Sequence, residues 1–369
     1  MNLVNHTPFA ADYTMTHDPA GRECLVAVVK ATYLLPLAGE APVLAERQQP
    51  ITHADTATGA PGRSAPLLES DFCLAKPKVD VLLLASAHQP GGQPAARVGV
   101  GFSVGALQKT FVVTGNRYWR SRLIGGMVVS DPEPFTRQPI SYDIAFGGTV
   151  PGKTPAHESA VFAANPVGLG YLPCGKFPDG TPGPQTEVFK KPITSSTGAY
   201  APMAFGPVGR HWQPRAPYAG TYDERWRRER FPLLPEDFDA RYFQAAPADQ
   251  QIDRLTGGEP VRLLHLTPAA LTPSGVLDFK LPDLALRIVL QSKTSGAQVI
   301  DAKVDTLLIE PDALRFSVVW RAVHDLAGDA YAWRSIEIGE QPPGHVVRIP
   351  LEVLAGELPS RDGGPGRRS

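Results

Sequence analysis

Proline and glycine constrain this chain most: 38 and 35 of its 369 residues, spread along the whole length. Proline fixes its own backbone angle, lacks an N–H donor and clashes with the preceding helical turn. A chain with roughly twice the average proline usage therefore has no room for many long helices. Strands joined by ordered loops are the architecture that such punctuation allows. The apolar share of 43% is enough for a substantial core and excludes a wholly disordered chain. The charge balance, 36 basic against 37 acidic residues, gives no electrostatic footprint for nucleic acid or an anionic membrane.

Three cysteines, Cys24, Cys73 and Cys174, are odd in number and show no CxxC spacing. That argues against a disulfide framework or a cysteine zinc site, and for a reducing compartment. The first residues, Met1 to Pro8, lack the basic and then apolar pattern of a secretory signal. The most apolar stretch, Cys24 to Leu35, is interrupted by Lys30 and falls far short of the roughly 20 residues that span a bilayer. These features predict a cytoplasmic protein with no membrane-crossing helix.

Periodicity supplies the elements. Val98, Val100, Phe102 and Val104 alternate with Gly99, Gly101, Ser103 and Gly105, a period of two with one apolar face. Further strands are expected at Leu25 to Leu35, Val79 to Ala85, Lys109 to Thr114, Ile140 to Ala145, Val261 to Leu266 and Ala285 to Leu290. Others are expected at Val304 to Ile309, Leu314 to Arg321 and Val346 to Ile349, and turn residues separate nearly all of them. Between Phe146 and Gln251 neither period persists, and aromatic, Pro, Gly and Arg residues dominate. The one helix expected there is Pro235 to Phe243, with Asp237 and Asp239 near its start as capping acids. The expected fold is mainly β: an antiparallel, sandwich-like core from both chain ends with a long irregular insertion. Residues 1–145 form the N-terminal β region, 146–257 the insertion, 258–357 the C-terminal β region and 358–369 a disordered tail.

Two short motifs suggest chemistry. Gly147 to Thr154 satisfies the P-loop pattern G-x-x-x-x-G-K-[ST], in which backbone N–H groups and Lys153 would hold phosphates. Pro151 removes one of those N–H groups, Asn165-Pro166 limits any following helix, and no downstream strand ends in a clear magnesium-binding Asp; a solvated Gly/Pro turn explains the match as well. Gly101 to Gly105 satisfies G-x-S-x-G, but Ser103 falls on the small face of an alternating strand and another strand follows, not the helix of a nucleophile elbow. His157, His211, His265, His324 and His345 could each supply a base. The histidines are scattered without metal-ligand spacing, so neither a metal site nor a cofactor is expected.

The densest aromatic and basic run includes Trp212, Arg215, Tyr222 and Trp226, residue types that anchor protein interfaces. The alternative is internal, with guanidinium groups on rings and loop carbonyls ordering a segment that lacks regular structure. Arg117 with Trp119, and Trp320 with Arg321, are expected to be structural cation and ring pairs.

Taken in order, these stretches resemble a bacterial family, domain of unknown function 2169, encoded in type VI secretion clusters beside the spike and PAAR-like tip proteins. The resemblance is carried by Asn5 to Phe9, Val28 to Thr32, Lys78 to Val81, Val113 to Trp119 with Arg117, and Phe146-Gly147-Gly148. It continues through Asn165-Pro166-Val167-Gly168, Arg210-His211-Trp212, Gly220 to Asp223, Pro235 to Asp239 and Trp320-Arg321. It implies a non-enzymatic adaptor or chaperone whose partners are a secreted effector, a PAAR-like carrier or the spike itself, with no nucleic acid and no membrane. It implies no catalytic residues. The alternatives are a nucleotide-binding protein centred on Lys153 and a serine hydrolase centred on Ser103.

Overall fold

The computed structural model describes residues 1–340 apart from 38, 123–125, 151–159 and 295. The strands of its three larger sheets are numbered here in chain order. The N-terminal part supplies β1 (Asn2–Asn5), β2 (Ala10–His17), β3 (Glu23–Leu34), β4 (Val43–Leu44), β5 (Val79–Leu83), β6 (Arg97–Val104) and β7 (Leu107–Thr114). The middle of the chain adds only β8 (Thr186–Glu187) and β9 (Gln251–Ile252) to these sheets. The C-terminal part supplies β10 (Pro260–Leu264), β11 (Val276–Lys280), β12 (Leu286–Ser292) and β13 (Ala297–Ile300), then β14 (Lys303–Glu310), β15 (Arg315–Asp325) and β16 (Trp333–Glu340).

The largest sheet runs β9-β5-β14-β15-β3-β2, with β4 also on β3; a second runs β8-β7-β6-β10-β11 and a third β1-β16-β12-β13. Strands from the two chain ends are neighbours in all three, as β3 beside β15, β6 beside β10 and β1 beside β16. The fold is mainly β. Its pairings in these sheets are antiparallel with two exceptions, β5 with β14 and β1 with β16, which are parallel.

The inner faces share one core. Leu25, Ala27 and Val29 of β3 and Phe316, Val318 and Trp320 of β15 meet Val100, Phe102, Leu263 and Phe279 of the second sheet and Ile288 and Ile338 of the third. The Phe279 and Phe316 rings lie 5.5 Å apart, and Phe205 from the middle of the chain packs on Phe102 and Phe111. At about 25 cal/mol per Å² of apolar surface removed from water, this shared core is the main stabilising term.

β3 is buried on both faces, because residues 50–74 lie across the outer one. There Val26, Val28 and Val319 pack on Ile51, with Phe72 and Leu74 alongside. Three buried cations tie that cover down. Lys30 pairs with Asp71 and donates to the Pro50 carbonyl at 3.1 Å. Arg321 Nε donates to Asp305 at 2.5 Å, and its Nη1 reaches the carbonyls of Asp71 and Cys73. Lys76 sits 2.8 Å from the fully buried Asp80, which also accepts from the N–H groups of Ala245 and Ala246. Burial alone would lower the Lys76 pKa, but Asp80 and Asp305 outweigh it and hold the ammonium charged.

Two elements differ from expectation. Ile140 to Ala145 is not a strand: Tyr142–Ile144 is a 3₁₀ turn capped by Ser141, and the Asp143 carboxylate is taken by Thr58 Oγ1 at 2.6 Å and the Ala65 N–H at 2.8 Å. Pro235 to Phe243 is not an α-helix; only Ala240–Phe243 forms a 3₁₀ turn, while Asp237 binds the Thr221 N–H and hydroxyl across the loop. Asp side chains spent on neighbouring backbone in this way stabilise turns over helix. The α-helix among the described residues is Glu224–Glu229 (α1), capped by Asp223 accepting from the Trp226 N–H at 2.8 Å. The expected strand at Val346 to Ile349 and the tail 358–369 lie outside the described residues. No described helix is long and apolar enough to cross a membrane. The three cysteines are free thiols, Cys24 buried and Cys174 exposed.

Candidate functional site

Gly147 and Gly148 of the P-loop pattern serve a corner. Phe146–Gly147 pairs in parallel with Leu169–Gly170, and the fully buried Asn165 donates from Nδ2 to the carbonyls of Tyr142 and Phe146 at 2.9 and 3.1 Å. The Gly148 N–H donates to the Asn165 carbonyl at 2.9 Å. At Gly147 φ is +153°, and a Cβ would stand 2.2 Å from that same oxygen, so only glycine fits. Gly168 is equally tight against the Asn165 side chain, and the Pro166 carbonyl accepts from Thr149 Oγ1. Phe146 itself is buried among Phe162, Tyr171 and Tyr200. Thr149–Val150 then pairs antiparallel with Ala160–Val161. Gly152, Lys153 and Thr154 lie outside the described residues.

Ser103 stands inside β6, with Gln108 of β7 and Arg262 of β10 as its register partners. A reverse turn at Gly105 leads straight into β7, so the strand-to-helix elbow is not formed there. Among the described residues no hydrogen bond joins Ser103 to a histidine. His265 Nδ1 is bound to the Gly99 carbonyl at 2.8 Å, and His324 packs on Trp333, where burial lowers its pKa. His157 and His345 lie outside the described residues. A serine, a histidine and an aspartate do meet elsewhere, with the wrong connections. Ser86 Oγ and His88 Nε2 both bond to Asp312, at 2.7 and 3.2 Å, and not to each other, so the histidine cannot take the serine proton. No group of three or more metal-ligating side chains occurs among the described residues.

The aromatic and arginine run divides sharply. Trp212 is buried edge-on against Tyr142. Arg215 is buried too: both its Nη groups reach Glu69, and it donates to the Val208 carbonyl at 2.7 Å and to the Tyr242 carbonyl. Both side chains face inward, Trp212 onto Tyr142 and Arg215 onto Glu69, as the internal reading of this run expects. Tyr222 and Trp226 are different. Tyr222 is 52% exposed and stands edge-on to Trp226 at 4.7 Å; Trp226 is half-buried, donates its Nε1–H to the Leu233 carbonyl and also meets Phe231, 68% exposed, edge-on at 5.8 Å. Phe231 completes this cluster. Its position beside Pro232 gave no sign of exposure.

Arg117, Trp119, Trp320 and Arg321 are all buried, but not as cation and ring pairs. Arg117 Nη1 meets Glu187 at 2.6 Å, Trp119 stacks on Phe177, Trp320 stacks on Phe9 and donates to the Leu284 carbonyl, and Arg321 binds Asp305. Successive residues of a strand point to opposite faces, which separates Trp320 from Arg321.

With this geometry in place, the comparison with known families decides one question. Residues 20–321 match the profile of an uncharacterized protein conserved in bacteria, DUF2169. The chain belongs to the DUF2169 family. No curated protein and no solved structure matches it. The match starts after β2 and ends within β15, so β1, β2 and β16 lie outside it while the Gly147–Asn165 corner and the Tyr222–Trp226–Phe231 cluster lie inside.

Proposed function

We propose that this DUF2169 chain is a non-enzymatic adaptor that holds a secreted effector or PAAR-like carrier for loading onto a type VI secretion spike in the bacterial cytoplasm. The observation that carries the reading is the aromatic cluster of Tyr222, Trp226 and Phe231. The large rings of Tyr222 and Phe231, left open to water on either side of a capped helix, cost solvation, and such rings are the residue types that dominate protein interfaces. The resemblance to proteins encoded beside spike and tip components supplies the class of partner. Ser103 in mid-strand and Ser86 bonded away from His88 support a binding task over acyl transfer.

Co-expression with the PAAR-like and effector proteins of the same secretion cluster tests this. A complex that survives size-exclusion chromatography is expected with at least one of them. Absence of any complex, covalent labelling of Ser103 by a fluorophosphonate, or nucleotide binding lost in Lys153→Ala would replace the adaptor with one of the enzyme readings.

A further inference from the structure

The exposed rings around α1 do not stand on a neutral surface. A hollow of about 490 Å³ is lined on one side by Trp226, the ring that both Tyr222 and Phe231 touch. Asp223, Glu229, Glu236 and Asp237 bring four carboxylates to the same hollow, and Arg225 and Arg230 bring two guanidinium groups, which leaves it a net charge of −2. The chain as a whole carries only −1, so the acidity is local.

The two cations do not cancel it. Arg225 is paired with Glu229 at 3.0 Å, and that hydrogen bond, with the nearby charges of Glu236 and Asp223, pushes its pKa up. A guanidinium set among carboxylates is therefore what this hollow already holds. Arg230 donates to the Leu234 carbonyl at 3.1 Å and to the Pro19 carbonyl, not to a carboxylate. Asp237 accepts from the Thr221 N–H at 2.9 Å and hydroxyl at 2.8 Å, and these donors hold its carboxyl charged, below the usual range. Glu236 is exposed and has no hydrogen bond or ion pair among the described residues.

We propose that this face of α1 docks a basic segment of the client, the protein that the adaptor holds. An arginine of the client enters the hollow between Trp226 and Glu236, and a neighbouring apolar residue covers the rings of Tyr222 and Phe231. Arginine fits better than lysine, because its planar guanidinium stacks on an indole and donates to two carboxylate oxygens at once. The proposal rests on the adaptor reading and names the chemistry of what is held. Exposed rings also stack on bases or enter bilayers, but nucleic acid and anionic lipid carry the same sign as the hollow and are repelled by it.

The probes are a peptide of about ten residues alternating arginine with leucine, its glutamate and leucine counterpart, and an oligothymidylate, each titrated into the full chain at low and at high salt. The arginine peptide is expected to bind about tenfold or more tightly than the glutamate peptide and to lose most of that lead at high salt. Glu236→Lys cancels the net charge of the hollow without breaking a hydrogen bond, so it should weaken the arginine peptide by about tenfold at an unchanged melting temperature. Should that variant unfold, Glu236→Gln decides, with a loss of about threefold. No binding of the arginine peptide at millimolar concentration, equal binding of the glutamate peptide or the oligothymidylate, or undiminished binding to a folded Glu236 variant overturns the proposal. A client that co-purifies with Glu236→Lys as well as with wild type overturns the hollow and leaves the adaptor reading standing. Arginine-peptide binding that Glu236→Lys weakens, with no client complex, does the reverse.

Discussion

Arg117 and Glu187 meet where water is excluded, both side chains almost wholly buried. Burial pulls the Arg117 pKa below its ordinary value, and Glu187 opposes the shift. Glu187 also accepts from Arg97 and from the Ile193 N–H, so one carboxylate serves three donors. Glu187→Gln should therefore cost about 3–5 kcal/mol in chemical denaturation, the range for stranding a buried charge. A loss below about 0.5 kcal/mol would mean that the pair is solvated in solution. Asp312 gives a pH handle. Burial alone would raise its pKa, but hydrogen bonds from His88, Ser86 and Arg137 outweigh it and hold the carboxyl below the usual range. A depressed folded value means that the stabilisation is present above about pH 4 and lost as pH falls through the folded pKa. Asp312→Asn is expected to flatten that acid limb of the melting-temperature profile and to leave the neutral-to-alkaline limb parallel to wild type. At this scale the sequence marks Arg117, Trp119, Trp320 and Arg321 as structural but misassigns their partners. Glu187, Phe177, Phe9 and Asp305 are distant in the chain, and no spacing rule pairs them.

Strands with a clean period of two, such as β6, and the apolar β3 are readable because one or both faces are buried and the side chains record it. α1 is not readable. Its sequence, Glu-Arg-Trp-Arg-Arg-Glu, is polar apart from Trp226, and the Asp223 cap and two ion pairs support it instead of an apolar stripe. Pro235 to Phe243 shows the converse, ring spacing that imitates a helix while Asp237 and Asp239 bind nearby backbone. The Gly147 corner belongs to this scale as well. Gly147→Ala drives a methyl into the Asn165 carbonyl and should lower the melting temperature by several degrees, as a change of about 1–3 kcal/mol would. An unchanged melting temperature in scanning calorimetry would show that the corner relaxes freely.

For the whole molecule, the prolines and glycines point away from long helices, and none occurs among the described residues; the shared core of the two chain ends follows from their apolar strands. The insertion is harder to read, because buried braces and exposed rings draw on the same residue types. Trp212 and Arg215 face inward while Tyr222 and Phe231 face out, and only tertiary packing distinguishes them. The proposed function turns on that division, since a binding surface and a structural brace respond oppositely to truncation. The direct measurement is partner capture and melting temperature, side by side, for Trp212→Ala and for the double variant Tyr222→Ala/Phe231→Ala. Trp212→Ala should lose about 3–5 kcal/mol of stability, with capture falling only as the folded fraction falls. The double variant should keep the wild-type melting temperature and lose the co-expressed PAAR-like or effector partner. Full capture by the double variant, or a melting temperature that falls as far as that of Trp212→Ala, would show that the exposed rings do not bind the partner.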